Sequence, residues 1–177
     1  MKQIVWTRID DRLIHGQVMT QWIQHASANE VVIVDDGVAK DTFIQMIMKS
    51  SVPAKISLKI LNTQDAIEYL NGEDNGKKEF ILVKTPQALV ALTDAGIKLD
   101  FVNVGGIGAK AGRKTLYKNI STSEAENKDL IKQVRTPPVR PADGVVGCVY
   151  ESFVPGEDYR GLGLRAKIKS AEHAPAL

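Results

Sequence analysis

The fold is decided by the stretch from residue 3 to residue 37, which reads QIVWTRIDDRLIHGQVMTQWIQHASANEVVIVDDG. It begins with an apolar run, Gln3 to Ile9, which predicts a buried strand that stops at the acidic pair Asp10-Asp11. Apolar residues then recur at helical spacing, which predicts a helix from residue 14 or 15 to about residue 27. Glu30 to Val34 predicts a second strand, so the unit is strand, helix, strand.

The same alternation continues along the chain. Further strands are predicted at Ile56 to Leu61, Phe80 to Lys84 and Phe101 to Val104. Helices are predicted around residues 43–48 and 66–70, and a third opens at Thr85-Pro86, where proline suits the first turn. Repeated strand-helix units imply parallel strands joined by right-handed crossovers. The sequence therefore predicts a single α/β domain with an open, mainly parallel twisted sheet and helices on both faces.

The end of the chain has a different character. Residues 1–134 are predicted to form the α/β domain, and residues 135–177 an atypical C-terminal segment. This segment starts with a proline-rich stretch, and its periodicity is weak from Gly156 onward. A final strand within residues 144–154, followed by a tail, is the expected content of the segment.

Composition excludes several functional classes. The 177 residues carry 23 Lys and Arg against 21 Asp and Glu, a balance that predicts no nucleic-acid partner. The single cysteine, Cys148, cannot form an internal disulfide, and the three histidines show no zinc-site spacing, so no metal is predicted. A single cysteine is consistent with a reducing cytoplasm, which is the expected location. The amino terminus lacks a secretory pattern and no apolar run could cross a bilayer, so any membrane role is expected to come through a partner.

The segment after the first strand, Arg8-Ile-Asp-Asp-Arg-Leu-Ile-His-Gly-Gln-Val18, contains residue types that phosphoryl transfer uses. A neutral imidazole such as that of His15 is a good nucleophile toward phosphorus. The N–H groups and dipole of a helix N-terminus favour a phosphate dianion. Arg12 could neutralise charge on the phosphoryl oxygens, and Gly16 would let a partner approach closely. This loop is therefore the candidate site.

The residues alone leave the role of the two carboxylates open. Asp10 or Asp11 could hold the tautomer of the histidine ring, or could position Arg12 through a bidentate pair. In a simpler interpretation one aspartate caps the helix, Arg12 is solvated and His15 is an ordinary surface residue. Composition by itself favours the simpler interpretation, because most lone histidines are not catalytic.

The same segment, together with Trp22, resembles the active-site signature of the mannose-fructose-sorbose family of phosphotransferase-system enzyme IIB. The resemblance continues through the strand-helix units after Asp35-Asp36 and the stretch Ile81-Leu-Val-Lys-Thr-Pro-Gln87. It also includes Asn103-Val-Gly-Gly106 with Gly112-Arg-Lys114, and covers roughly residues 1–133.

The resemblance implies a phosphocarrier. His15 would accept a phosphoryl group from a histidine of a IIA protein and pass it to a sugar held by membrane IIC and IID subunits. This is the activity of a protein-N(π)-phosphohistidine–sugar phosphotransferase. The protein would be cytoplasmic and peripherally associated with the membrane through the permease. The sugar, which could be mannose, fructose, sorbose or an N-acetylated amino sugar, and the oligomeric state, with a homo-oligomer among the options, stay open.

The family's site residues carry over position by position. Arg12 matches the arginine that stabilises the phosphoryl group, and Asp10 matches a loop carboxylate that supports the site. Support of the phosphate loop is expected from Asp11, Arg8 and Gly16. No metal or organic cofactor is implied, because positioning and fixed positive charge can carry a transfer between histidines.

Two other patterns in the sequence are typical of different functions. Asp35-Asp36 after an apolar strand is typical of the acidic cluster of a receiver domain, an aspartyl-phosphate signalling module. Lys84 fits such a domain loosely, but no aspartate closes the strand Ile56 to Leu61. The stretch Gly106 to Ala111 satisfies a loose dinucleotide-binding fingerprint, yet no obvious helix follows it, so a structural loop is favoured.

Overall fold

Six parallel strands form the main sheet of the protein, whose computed structural model describes residues 1–100, 102–117, 119–135 and 148–150. In order along the described chain, the strands are β1 (Gln3–Ile9), β2 (Glu30–Val34), β3 (Ser57–Leu61), β4 (Lys78–Val83), β5 (Val102–Val104), β6 (Lys114–Tyr117), β7 (Ile120–Thr122) and β8 (Cys148–Tyr150). Strands β6 and β7 lie outside the main sheet and pair with each other. The helices are α1 (residues 16–25), α2 (Thr42–Ser50), α3 (Thr63–Asn71), α4 (Pro86–Asp94) and α5 (Glu124–Arg135). Within α1, a π-helical turn over Val18–Trp22 continues into Ile23–His25.

The sheet order places β1 in the middle. The order is β3-β2-β4-β1-β5-β8, and every neighbouring pair is parallel. Ile9 at the end of β1 is in register with Val83 of β4 and Val104 of β5. The carboxyl ends of these three strands therefore meet at one edge, where open α/β sheets bind their ligands.

Helices cover both faces of the sheet, which confirms the predicted fold class. On one face, α3, α4 and α5 contribute buried apolar residues to a single cluster, namely Ala66, Leu70, Leu89, Leu92 and Leu130. On the other face, α1 and α2 contribute Trp22, Ile23 and the half-buried Met48. Because both faces are covered, the central strands are mainly apolar; all five residues of β2 are buried, and four of them are apolar.

The helix α2 differs from its prediction in one respect. Its start is fixed by Asp41, whose carboxylate accepts hydrogen bonds from the N–H groups of Phe43 and Ile44. The helical spacing of its apolar residues predicts a buried face, yet Phe43, Ile44 and Ile47 are exposed. Only Met48, among the apolar residues that defined the pattern, packs against the core. The periodicity thus predicts the helix correctly but not its burial.

A hairpin of two strands and a helix, all after β5, were not predicted. Strands β6 and β7 form an antiparallel hairpin, so a strand and not a helix follows the glycine-rich stretch that resembled a dinucleotide fingerprint. The helix α5 then begins with a capping box in which Ser123 and Glu126 exchange hydrogen bonds between side chain and backbone. The spacing of Ser123 and Glu126 is a sequence signal that could have located this helix start.

The predicted C-terminal segment is described in part. Within the strand expected at residues 144–154, Cys148–Tyr150 pairs in parallel with β5 at the edge of the sheet. The rest of that strand and the predicted tail lie outside the described residues, so the domain boundary at residue 134 stays a prediction. In the described part of the chain, no helix is long and apolar enough to cross a membrane.

Candidate functional site

The loop from Asp10 to His15 leaves the carboxyl end of β1 and is anchored on both sides. The N–H of Asp10 donates to the carbonyl of Val83 at 2.8 Å, and the N–H of Asp11 donates to the carbonyl of Gly106 at 2.9 Å. Leu13 adopts a left-handed conformation, with φ of 53°, while its side chain is fully buried in the core. Such a conformation is unfavourable for a residue with a β-carbon, so the buried side chain must hold it in place. The loop is therefore rigidly attached to the sheet.

His15 occupies the cap position of α1. Its carbonyl accepts the N–H of Met19 at 3.1 Å, so the helix begins immediately after it. The Nε2 atom of its ring lies 3.0 Å from Oδ2 of Asp10, and 17% of the side chain is exposed. The ring is thus held on one side and accessible on the other. This arrangement does not support the simpler interpretation, in which an aspartate caps the helix.

Asp10 is fully buried and is surrounded by donors. Nε and Nη2 of Arg8 donate to its Oδ2 at 3.2 and 2.8 Å. Nε of Arg12 donates to Oδ1 at 2.9 Å, and Nη2 of Arg12 donates to Oδ2 at 3.0 Å. Burial would raise the pKa of Asp10, but hydrogen bonds from His15 and Arg12, together with the charge of Arg8, hold this pKa well below its ordinary value. Asp10 is therefore a carboxylate at neutral pH.

The ionised state of Asp10 determines the tautomer of His15. A carboxylate can only accept a hydrogen bond, so Nε2 of the neutral ring carries the proton and Nδ1 carries the lone pair. Asp10 therefore performs both roles that the residues had left open, because it also makes the bidentate pair with Arg12. Asp11 has a different partner, since its Oδ2 accepts the N–H of Gly108 at 2.7 Å.

Arg8 lies beneath the loop and is fully buried. Nη1 of its guanidinium group donates to Oδ1 of Asn103 on β5, and the group lies 4.8 Å from the ring centre of Trp22. Gly105 leaves the space for it, because a β-carbon there would come within 2.1 Å of Nη2 of Arg8. Neither Asn103 nor Gly105 was among the predicted site residues. Both belong to the stretch Asn103 to Gly106 that the family resemblance included. Their contact with Arg8 is not indicated by any pattern in the neighbouring sequence.

The outer side of the loop is open. The side chain of Arg12 is 47% exposed although it binds Asp10. Gly16, the first residue of α1, is also exposed, and a β-carbon placed there would meet no atom within 4 Å. The structure therefore brings His15, Arg12 and Gly16 together at an accessible surface, with Asp10 and Arg8 buried behind it.

A glycine-rich loop, residues 105–112, lies beside the site. It is held by Arg113, which is itself paired with Glu126 of α5. Arg113 donates to the carbonyl of Gly108 at 2.8 Å and forms a buried ion pair with Glu126. Burial would raise the pKa of Glu126, but Arg113 and the backbone and hydroxyl of Ser123 lower it to about 2. The ionised Glu126 thus fixes Arg113, which fixes the loop that contacts Asp11. Sequence reasoning missed this pair.

The acidic pair that suggested a receiver domain stabilises turns. Oδ1 of Asp35 accepts the N–H of Val38 at 2.8 Å and lies 3.5 Å from Nζ of Lys84. Oδ1 of Asp36 accepts hydrogen bonds from the N–H and the hydroxyl of Thr63 at the start of α3. Over the residues that the structure describes, no group of His, Cys, Asp and Glu side chains could hold a metal ion.

Comparisons with known proteins define the class of protein. The family model described as "PTS system sorbose subfamily IIB component" matches residues 4–137, and the chain belongs to this family. The fold and the comparisons thus confirm the predicted resemblance. The chain is a phosphocarrier component of a sugar phosphotransferase system, and its class of activity is phosphotransferase. The comparisons give no support to the receiver alternative.

Individual relatives agree with this assignment. The chain is 35% identical to the sorbose-specific EIIB component of Lacticaseibacillus casei over 119 residues, which cover 67% of this chain and 73% of that protein. It is 31% identical to the mannose-specific EIIAB component of Escherichia coli K12 over 120 residues, which cover 67% of this chain and 37% of that protein. The crystal structure of the IIBSor domain of the sorbose permease from Klebsiella pneumoniae has the same fold, with a TM-score of 0.82, 22% identity, and coverage of 97% of this chain and 99% of that chain.

Proposed function

We propose that Nδ1 of His15 is the atom that carries the phosphoryl group. The observation that supports this most directly is the 3.0 Å contact between Nε2 of His15 and Oδ2 of the buried Asp10. Because this contact places the proton on Nε2, the nucleophilic lone pair is on Nδ1. The ring is partly exposed, so a donor can reach it.

The chemistry follows from these groups. Nδ1 of His15 attacks the phosphorus atom of a phosphohistidine on the donor, and a new N–P bond forms while the donor's N–P bond breaks. The electron pair of the broken bond stays with the donor's ring. Positive charge develops on the His15 ring as the bond forms, and the carboxylate of Asp10 stabilises it through Nε2–H. Arg12 and the first-turn N–H groups of α1 stabilise the phosphoryl oxygens.

The partners of this reaction are proteins and a sugar. We assign the donor to a IIA protein or domain, and the mannose-specific EIIAB relative supports this because its description joins an A and a B component. The acceptor is a sugar held by membrane IIC and IID subunits, so the chain works at the cytoplasmic side of the membrane through the permease. Gly16 lets the partners approach, while Asp11 supports the glycine-rich loop beside the site.

Transfer of labelled phosphoryl groups from a phosphorylated IIA donor tests this proposal. The wild type and the variants His15→Ala and His25→Ala are compared, since His25 is an exposed histidine of the same helix. We expect acid-labile label in the wild type and in His25→Ala, and none in His15→Ala. Equal labelling of His15→Ala would overturn the proposal. A label that resists mild acid and is removed by hydroxylamine would indicate an acyl phosphate instead.

A further inference from the structure

Two arginines bind the same carboxylate from different surroundings. Arg8 is fully buried, whereas the side chain of Arg12 is 47% exposed. Both donate two side-chain hydrogen bonds to Asp10. One carboxylate therefore has two cationic partners, although one would balance its charge. One arginine is enough to balance the charge of a buried carboxylate, provided that its hydrogen bonds are satisfied. The presence of a second arginine on Asp10 therefore suggests a function beyond stability.

The surroundings of Arg8 hold it in one place. Asn103 accepts from its Nη1, Asp10 accepts from its Nε and Nη2, and the aromatic ring of Trp22 lies 4.8 Å from its guanidinium carbon. Gly105 closes the fourth side so tightly that a β-carbon there would overlap the guanidinium group, at 2.1 Å from Nη2 and 2.2 Å from Cζ. Arg8 therefore has no room to follow a ligand that arrives at the surface.

Arg12 is placed differently. It lies at the accessible side of the loop, next to the histidine that carries the phosphoryl group in the proposed function. Because Nε2 of His15 faces Asp10, a phosphoryl group on Nδ1 lies across the ring from that carboxylate. Nε and Nη2 of Arg12 are held by Asp10, so Arg12 can place this same two-donor edge on the phosphoryl oxygens only by leaving that carboxylate.

We propose that Arg8 is the fixed counter-charge of Asp10, and that it allows Arg12 to move from Asp10 to the phosphoryl oxygens when His15 is phosphorylated. Asn103 and Gly105 are then positioning residues of the transfer, because they act on His15 only through Arg8 and Asp10. This proposal rests on the proposed phosphorylation of His15. Without a fixed Arg8, departure of Arg12 would leave a buried carboxylate with no cationic side chain except the histidine ring, which is strongly unfavourable.

NMR of arginine side chains tests the proposed exchange directly. The Nε–H signals of Arg8 and Arg12, assigned through an Arg12→Lys variant, are followed before and after phosphorylation by the IIA donor. We expect the Arg12 signal to shift and the Arg8 signal to stay. In the unphosphorylated protein, the Nε–H of Arg8 should exchange with solvent much more slowly than that of Arg12, because only Arg8 is buried.

Variants of Asn103 test the positioning role. Asn103→Ala removes the acceptor of Nη1 of Arg8, and misplacement of the site should slow single-turnover transfer on the order of tenfold to a hundredfold without changing the donor concentration at half-maximal rate. Asn103→Asp keeps the acceptor oxygen but adds a buried negative charge that competes with Asp10 for Arg8, so this variant should also slow transfer. Thr7→Val is the matched control, because Thr7 is buried on the same strand as Arg8 but faces the opposite side of the sheet.

The outcomes separate this proposal from the proposed function. Failure of His15 to take up phosphoryl label would overturn both. If His15 is labelled but the Arg12 signal does not move, or moves no more than the Arg8 signal, only the division of roles is wrong. A wild-type transfer rate in Asn103→Ala would exclude the positioning role. If Asn103→Ala does not fold, the wild-type NMR comparison and the rate of Asn103→Asp decide.

Discussion

Replacement of the buried carboxylate by a neutral group of the same shape, Asp10→Asn, should strongly destabilise the protein. Arg8 is fully buried and pairs with Asp10, so the variant leaves a buried guanidinium group without an ionised partner. Removal of one member of a buried pair costs about 3–5 kcal/mol. Native domains have total stabilities of about 5–15 kcal/mol, so this loss is a large fraction of the whole. Arg12 sets the contrast, because its side chain is 47% exposed and Asp10 keeps its pair with Arg8 when Arg12 is lost, so Arg12→Ala should cost much less than Asp10→Asn.

Urea unfolding followed by tryptophan fluorescence measures the effect, since Trp6 and Trp22 are both buried. At pH 7 we expect Asp10→Asn to unfold at a much lower urea concentration than the wild type, and Arg12→Ala at nearly the same concentration. The pKa of Asp10 is lowered in the folded protein, so its contribution is present above the ordinary value of 3.8 and is lost as the pH falls below it. The difference in unfolding midpoint between the two proteins should therefore shrink progressively as the pH falls further below 3.8. Equal midpoints for Asp10→Asn and the wild type at pH 7 would refute this reasoning.

Three further predictions concern other parts of the molecule. Burial and the neighbouring Glu30 raise the pKa of Glu79 to about 7, so stability should fall as the pH rises from 4.5 to about 7. Urea unfolding at pH 5 and pH 7.5 should show this fall in the wild type but not in Glu79→Gln, and equal pH dependence in both would contradict it. Glu126→Ala leaves Arg113 buried without its partner and should cost about 3 kcal/mol in the same assay, whereas an unchanged midpoint would mean that the pair does not stabilise the glycine-rich loop. Gly16→Phe enters open space, so the unfolding midpoint should stay while transfer from the IIA donor slows; undiminished transfer would show that no partner approaches there.

The fold could be predicted largely from the sequence because buried parallel strands are apolar on both faces. Strands β1 and β2 have the predicted bounds, and β4 begins two residues before its predicted start. The β6–β7 hairpin was not predicted, because strands of four and three residues are too short to show the alternation of apolar and polar residues that marks a strand. The exposed face of α2 could not be foreseen, since periodicity shows that residues share a face but not what covers that face.

For the site too, residues close together in the sequence could be predicted, whereas contacts between distant residues could not. Asp10, Arg12 and His15 lie within six residues, so their types and spacing indicated a common site. Spacing could not decide which aspartate faces the histidine, because that depends on how β4 and β5 hold the loop. The contact between Arg8 and Asn103 joins residues that are 95 positions apart, and only the sheet order brings them together.

We propose that the phosphoryl group is carried by Nδ1 of His15. The most direct test of this proposal is phosphorus and nitrogen NMR on the protein labelled with ¹⁵N-histidine and phosphorylated by the IIA donor. We expect one phosphohistidine, with phosphorus coupled to Nδ1 of His15 and with the proton retained on Nε2 beside Asp10. Phosphorus bound to Nε2, or located on a residue other than His15, would contradict it.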